Sequence, residues 1–251
     1  MNSIKIFITA QSQLLPSAGI SGCSVAHLDY TIGPGKRLLR NSRSRAFRGG
    51  LLVVSDKNMP LGDGSLFAAE IVRECLNKGY SGVVANFGSS GSLHTTMQNR
   101  LAAKGLRLYV PESLAADACD SQVMCPTAIS GGSLSVRLQE LCRKYGAGRI
   151  ALDIERLAMD FLLPSPTGEG TPLSRGELNS LLQKRGAQSF FSNDLCAHYF
   201  TYSENGKHHF VLYDTASSIK KKMSIAASMG IGECFLMYSE VEDILQGIIN
   251  N

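Results

Sequence analysis

The stretch Tyr199–Lys222, YFTYSENGKHHFVLYDTASSIKKK, carries the strongest structural signal in this 251-residue chain. Around it, two runs in which aromatic and polar residues alternate, Ala197–Tyr202 and His208–Asp214, flank an Asn-Gly pair. Asn-Gly is the preferred pair for a two-residue hairpin turn, so these runs predict a β-hairpin. A helical pattern follows over Thr215–Met229 and stops at Gly230. The hairpin is therefore expected to lead directly into a helix near the end of the chain.

Short apolar runs rich in branched residues recur on both sides of this stretch, and turn or polar residues often follow them. The eight candidate strands are Ile4–Thr9, Ser24–Asp29, Gly50–Asp56, Ser81–Phe87, Leu106–Val110, Gln122–Thr127, Arg149–Glu155 and Glu233–Tyr238. Helical patterns lie between several of them, over Ser65–Lys78, Leu134–Tyr145 and Glu177–Lys184. The last of these has Ser174 as its N-cap and Glu177 as the capping-box partner.

Strands that alternate with helices predict a parallel sheet of βαβ units, which is an α/β fold. A doubly wound open sheet is the main alternative, but no GxGxxG turn follows the first strand. The even spacing over eight units favours a single (β/α)₈ barrel over residues 1–251, with the hairpin inserted before the last strand. Barrels of about 250 residues commonly form one domain.

Composition sets the expected environment. The net charge of +4 and pI of 8.7 permit an acidic partner but do not require one. The seven cysteines are scattered without CxxC or Cys/His spacing, which predicts reduced thiols and no metal or cofactor. We see no signal peptide and no apolar stretch long enough to span a membrane, so the expected location is cytoplasmic.

Two segments resemble the family 18 glycoside hydrolases, in particular the small bacterial branch that acts on spore-cortex peptidoglycan. In that branch a hairpin of the form F-R-Y…G…H-x-V-W-[FY]-[ED]-x-A-x-S-I-x-x-K leads into the last helix. Matching places are held here by Tyr202, Gly206, His209, Val211, Tyr213, Asp214, Ala216, Ser218, Ile219 and Lys222. The segment Gly148–Phe161 is similar to the family's seventh strand and its exit, with Asp153 and Glu155 in place of the usual Gly and Pro. The resemblance implies the barrel fold and, through the named branch, a role in spore formation.

A third segment, GYSGVVANFG over residues 79–88, resembles the family's catalytic motif but lacks its acids. The family pattern is G-Y-D-G-x-D-x-D-x-E, in which the last Glu protonates the glycosidic oxygen. The Asp two places earlier steadies the substrate's acetamido group, which attacks the anomeric carbon. Here Gly88 stands in the donor's place and Asn86 in that of the Asp. The chain also has no Trp, and Met237 holds the place of the Trp on which a sugar stacks in the family. We therefore expect a barrel that binds a glycan or small polar ligand without hydrolysing it.

Polar residues at the carboxyl ends of the strands are the candidate site, because barrel enzymes place their sites there. The candidate ligand-binding residues are Asn86, Asp29, Tyr30, Thr127, Tyr238 and Glu240. An alternative hypothesis is an active glycosidase on an N-acetylamino sugar polymer, with its acid relocated to Glu112, Glu155 or Asp56. Each of these three carboxylates could instead cap a helix, form a turn or pair with an arginine, as Glu155 could with Arg156.

Basic residues offer a second alternative. The segment Lys36–Arg48, KRLLRNSRSRAFR, holds six basic residues and no acid. It could contact an anionic polymer, which would make the chain a structural or assembly protein. A solvated amphipathic helix or loop is the simpler interpretation. Lys220–Lys222 lies on the predicted last helix, where we expect a solvated face.

Overall fold

The structure is a computed structural model that describes residues 4–16, 20–40, 48–55, 64–87, 92–117, 120–185 and 188–250. Eight parallel strands close into a barrel in the spatial order first, last, seventh, sixth, fifth, fourth, third and second. In chain order they are β1 (Lys5–Ala10), β2 (Cys23–His27), β5 (Leu51–Ser55), β6 (Gly82–Asn86), β7 (Arg107–Pro111), β8 (Gln122–Pro126), β9 (Ile150–Ile154) and β15 (Glu233–Met237). Each overlaps one predicted run, so the barrel prediction is confirmed and the open sheet is excluded.

The described ranges contain seven α-helices, and several of them cover part of the barrel's outer face. They are α1 (Ser65–Lys78), α2 (Ser92–Ala102), α3 (Leu134–Tyr145), α4 (Arg175–Arg185), α5 (Ala216–Ser228), α6 (Tyr238–Val241) and α7 (Leu245–Ile249). The bounds of α1 and α3 are those predicted, because both carry an apolar stripe with helical spacing. In the described part of the β1–β2 connection, the only helical segment is the 3₁₀ turn Ser12–Leu14. A second 3₁₀ segment, Glu112–Asp117, follows β7.

Two further sheets accompany the barrel. A small hairpin, β3 (Tyr30–Gly33) and β4 (Arg37–Arg40), follows β2. Between β9 and β15 the chain adds β10 (Ala158–Leu163), β11 (Thr171–Pro172), β12 (Phe190–Ser192), β13 (Ala197–Glu204) and β14 (Lys207–Tyr213). These five strands form an antiparallel sheet in the order β11, β10, β14, β13, β12. The predicted hairpin is therefore the β13–β14 centre of a larger inserted sheet.

The geometry of the inserted sheet follows from its sequence. Asn205 and Gly206 both have positive φ, 51° and 73°, as a tight hairpin turn between twisted strands requires. Helix α4 packs on one face of the sheet, where Leu178 joins a buried cluster with Phe200 and Val211. The predicted capping box of α4 is present: Ser174 N donates to Glu177 Oε2 at 2.8 Å, and Glu177 N donates to Ser174 Oγ at 3.3 Å.

Aromatic rings fill the middle of the barrel. Phe7 stacks on Phe235 with ring centroids 5.0 Å apart, and Tyr109 meets Phe235 edge-on at 5.4 Å. At the amino-terminal ends of the strands, Glu233 accepts hydrogen bonds of 2.8 Å from both Arg107 and the Tyr109 hydroxyl. These contacts close the barrel from below, which leaves the carboxyl-terminal mouth as the place for a ligand.

One expectation about the last helix is wrong. Lys222 is fully buried rather than solvated, and its ammonium donates to Asp214 Oδ2 at 2.6 Å. The same carboxylate accepts from the Ser218 hydroxyl at 2.6 Å and from Leu157 N at 3.1 Å. This network joins α5 to the end of β14 and to the exit of β9, which explains why a lysine is placed inside.

Two further observations bear on the environment of the chain. Among the described residues, no helix combines the length and apolarity that crossing a bilayer demands. All six cysteines in the described ranges are free thiols. The cytoplasmic location stays a prediction.

Candidate functional site

A cleft of about 330 Å³ opens at the carboxyl-terminal mouth of the barrel. Its polar lining comes from the ends of three strands, β1, β6 and β9, and from the helix after the last strand: Thr9, Asn86, Asp153, Glu155 and Glu240. Its apolar lining includes Val84, Met124, Phe235 and Met237. This volume lies at the lower end of the range of about 300–1,000 Å³ that is typical of small-molecule sites.

Asp153 is the buried acid of the cleft. Alternate residues of a strand face the same side, so Asp153 follows Ala151 into the barrel interior. Its half-buried carboxylate makes no hydrogen bond or ion pair with any residue that the structure describes. Burial, followed by the charges of Glu155 and Glu240, raises the pKa of Asp153 from 3.8 to about 6. A carboxyl group of this kind changes protonation close to neutral pH.

Glu240 is held at the edge of the cleft by Arg156. The backbone N–H of Arg156 donates to Glu240 Oε2 at 3.0 Å, and its guanidinium donates to the Glu240 carbonyl at 2.9 Å. The same guanidinium donates to Asp243 Oδ1 at 2.6 Å. The guanidinium of Arg156 therefore binds α6 and the residue Asp243 that follows it. The ion pair weighed between Glu155 and Arg156 does not form.

Asn86, the last residue of β6, is exposed in the cleft. It stands where the resemblance places the aspartate that steadies the acetamido group. Gly88, in the place of the proton donor, lies outside the described residues. Its identity alone establishes that this position has no acidic side chain.

The structure describes two of the three carboxylates proposed as a relocated acid and places them differently. Glu155 lines the cleft. Glu112 does not line it and instead accepts a hydrogen bond of 2.5 Å from Arg137 on α3, the arginine pairing weighed as its simpler interpretation. Asp56 lies outside the described residues. Of the two that the structure describes, Glu155 is the one placed to act on a ligand in the cleft.

Four predicted ligand-binding residues do not line the cleft. Asp29 accepts hydrogen bonds from the backbone N–H (2.9 Å) and the hydroxyl of Ser12, so it fixes the turn after β1. The Tyr30 hydroxyl donates to Glu74 at 2.8 Å outside the barrel.

Thr127 is fully buried beyond β8, where its N–H donates to the Asp153 carbonyl at 3.0 Å. Tyr238 lines a separate groove between β1, α5 and α7. Asn86 and Glu240 are the two predicted ligand-binding residues that the structure brings together.

Four residues of the basic segment, Arg37–Arg40, form strand β4. Arg37 in β4 pairs with the Glu70 carboxylate, and the Leu38 N–H donates to the same carboxylate at 2.9 Å. The helix or loop expected for Lys36–Arg48 is therefore wrong for residues 37–40. Residues 41–47 lie outside the described ranges. Binding of an anionic polymer here stays a prediction.

A second polar cluster lies on the inserted sheet. The Tyr202 hydroxyl donates to Asp160 Oδ2 at 2.7 Å, and His209 Nδ1 lies 3.0 Å from the same oxygen. The Tyr202 and His209 rings stack with centroids 4.5 Å apart. Because these three residues come from β13, β10 and β14, the cluster joins three neighbouring strands. Tyr202 and His209 stand at positions that match the family hairpin, and these contacts give a structural reason for that match.

No group of three or more His, Cys, Asp or Glu residues is placed to hold a metal ion anywhere in the described ranges. Asp153 is the site residue that sequence reasoning missed. The available signal was an acidic residue in the apolar run of a barrel strand, near its carboxyl end.

No family model and no curated protein sequence matches the chain. Solved structures do match it. A chitinase from Chromobacterium violaceum ATCC 12472 superimposes with a TM-score of 0.65 at 18% identity, over 99% of this chain and 100% of that one. The Bacillus cereus spore cortex-lytic enzyme SleL gives 0.66 at 14% identity, over 95% and 72%. A family 18 N-acetylglucosaminidase from Paenibacillus barengoltzii gives 0.68 at 12% identity, over 98% and 100%. The chain has the chitinase-like barrel fold of the family 18 glycoside hydrolases.

Proposed function

We propose that the chain binds a glycan, or another small polar ligand, in the cleft at the barrel mouth without hydrolysing it. The observation that carries the proposal is an open cleft with Asn86 on its wall and Gly88 two residues further on, where the family pattern has an aspartate and the donor glutamate. The cleft offers amide and carboxylate groups that suit sugar hydroxyls, and a glycine has no proton to give to a leaving oxygen.

The chemistry of the family supports this reading. Substrate-assisted hydrolysis needs an acid for the leaving group and a carboxylate beside the acetamido group. Asn86 can hydrogen-bond an acetamide, but its neutral side chain does not stabilise the positive oxazolinium that forms during the reaction. Met237 lines the cleft where the family stacks a sugar on Trp, so the sugar would bind by a less aromatic surface.

The proposal is tested by measuring binding and turnover on the same samples. The ligands are oligomers of N-acetylglucosamine, oligomers of glucosamine and cortex-type peptidoglycan fragments. Calorimetry measures binding and mass spectrometry measures products, for the native protein and for Asn86→Ala. Glu112→Gln is the matched control, because Glu112 pairs with Arg137 outside the cleft. We expect binding that Asn86→Ala weakens and no shortened products; absence of binding to every oligomer would refute the proposal.

A second candidate function is a glycosidase with a relocated acid, and one observation favours it. Asp153 has a pKa of about 6 and shares the cleft with Glu155 and Glu240. A half-buried carboxyl of this kind can donate a proton near neutral pH while a second carboxylate acts as base or nucleophile. This alternative predicts products that disappear in both Asp153→Asn and Glu155→Gln but persist in Glu112→Gln. Products from the native protein that persist in all three variants would exclude it and indicate a contaminating enzyme.

The connection to spore formation and the binding of an anionic polymer at Lys36–Arg48 remain separate proposals. The first would be supported by binding of cortex-type fragments in preference to unmodified oligomers of the same length. The second requires affinity for a polyanion that falls as salt is raised.

A further inference from the structure

The charge of the cleft narrows the class of ligand. Asp153, Glu155 and Glu240 all line it, and none of its lining residues is Lys, Arg or His. The guanidinium of Arg156, which lies beside Glu240, donates to the Glu240 carbonyl and to Asp243. The space between these carboxylates therefore has a negative potential that no described side chain in the cleft compensates.

Two of the three carboxylates are also free to bind. Asp153 and Glu155 make no hydrogen bond or ion pair with the described part of the chain. A half-buried carboxylate without a partner is costly, and a ligand that supplies a positive donor removes that cost. A neutral acetamide supplies an N–H donor but no charge.

A metal ion would be the other way to compensate this charge. The described residues hold no group of three or more His, Cys, Asp or Glu that converges on one point. Separated carboxylates around a cleft of about 330 Å³ instead suit an organic ligand whose charges are spread along its length. The apolar side chains of Val84, Met124 and Phe235 provide a floor for the C–H faces of a sugar ring.

We infer that the cleft is selective for a de-N-acetylated amino sugar, whose primary ammonium groups pair with the carboxylates of Asp153, Glu155 and Glu240. The inference rests on the proposed function and adds the chemical class of the ligand. Asn86 would then bond a sugar hydroxyl or an acetamide of a neighbouring, still acetylated unit.

The test compares ligands that differ only in charge. The tetramer of β-1,4-linked glucosamine and its fully N-acetylated counterpart are titrated into the protein by calorimetry at about pH 6.5, above the pKa of about 6 of Asp153. Spermidine serves as a polyamine without a sugar. We expect the glucosamine tetramer to bind about tenfold more tightly than the acetylated one. A tenfold ratio lies between the effect of an exposed ion pair and that of a buried ion pair. We expect spermidine to bind more weakly than either.

Three variants test which carboxylates cause the preference for the glucosamine tetramer. Asp153→Asn and Glu240→Gln each remove one negative charge from the cleft and should each weaken the glucosamine tetramer about tenfold, with little change for the acetylated one. Glu140→Gln removes the same charge from the exposed face of α3, away from the cleft, and should change neither. Circular dichroism confirms that each variant is folded.

The results of these titrations distinguish the charge selectivity of the cleft from the proposed binding of a glycan. Equal or tighter binding of the acetylated tetramer overturns the charge selectivity and leaves a glycan-binding cleft. Spermidine binding as tightly as the glucosamine tetramer overturns the sugar as the ligand class. Binding of neither tetramer overturns the proposed function and this inference together.

Discussion

The carboxyl group of Asp153 is half-buried, and the carboxylates of Glu155 and Glu240 are its charged neighbours in the cleft. Ionising it costs more free energy there than in water, because burial removes solvation and the neighbours repel the new charge. The sequence did not single it out, since the run IALDI predicts a buried strand and does not report which way each residue points. The position of β9 in the closed barrel determines that the Asp153 side chain points into the cleft.

At the residue scale this gives a prediction for stability against pH. The pKa of Asp153 is about 6 in the folded chain against an ordinary value of 3.8, so the folded state binds the proton more tightly. Its contribution to stability is complete below about pH 4 and is lost as the pH rises to about 6. Asp153→Asn should therefore raise the free energy of unfolding by roughly 1–3 kcal/mol at neutral pH and leave it unchanged near pH 4. Urea denaturation at both pH values measures this; a destabilised variant at neutral pH would contradict it.

At the scale of elements, the strands and helices with clear periodicity were predictable, and so was the central hairpin of the inserted sheet, whereas its outer strands were not. The bounds of α1 and α3 follow from apolar stripes, and the β13–β14 hairpin follows from its Asn-Gly turn. In contrast, β12 has three residues and β11 has two, which is too short for a pattern to be recognised. Each pairs with the neighbouring strand of the chain through very few residues, β11 with β10 through two residue pairs and β12 with β13 through three.

The anchor between the inserted sheet and the barrel is testable. Lys222→Ala removes the partner of the buried Asp214 carboxylate, so the free energy of unfolding should fall by about 3–5 kcal/mol. The neighbouring Lys221 is exposed, and Lys221→Ala should change stability by less than about 0.5 kcal/mol. Denaturation curves of the two variants give the comparison. Equal stability would mean that the buried pair does not hold α5 against β14.

Backbone packing between barrel strands gives another prediction at this scale. The chain keeps Gly79, Tyr80 and Gly82 of the family motif without its acids, and the two glycines serve the backbone. Gly79 caps α1 at φ 67°, and a Cβ on Gly82 would lie 2.3 Å from the Arg107 carbonyl oxygen of β7. Gly82→Ala should destabilise the fold by at least about 2 kcal/mol. Gly232→Ala, where a Cβ would meet nothing within 4 Å, is the control; similar denaturation midpoints would contradict the argument.

At the scale of the whole molecule, the chain has the closed barrel of the family 18 structures, and its candidate site lies at the carboxyl-terminal mouth. Eight evenly spaced apolar runs were enough to predict the closed sheet. The site was only partly predictable: Asn86, Glu155 and Glu240 meet in the cleft, whereas Asp29 and Tyr30 are used by neighbouring structure. Residues at strand ends alternate between the interior and the outer layer, and a residue beyond the end can turn either way. Sequence spacing alone does not decide that choice.

The measurement that tests the central claim most directly follows oligomers of N-acetylglucosamine and of glucosamine in ¹⁸O-labelled water with the protein in molar excess. Hydrolysis places one labelled oxygen on each new reducing end, so mass spectrometry detects even slow cleavage, while NMR on the same sample reports occupancy of the cleft. We expect shifted signals around Asn86 and Glu240, and oligomers that keep their original length with no label beyond that exchanged in a protein-free control. Labelled shorter products that vanish in Asp153→Asn would contradict the claim and identify the chain as a hydrolase with a relocated acid.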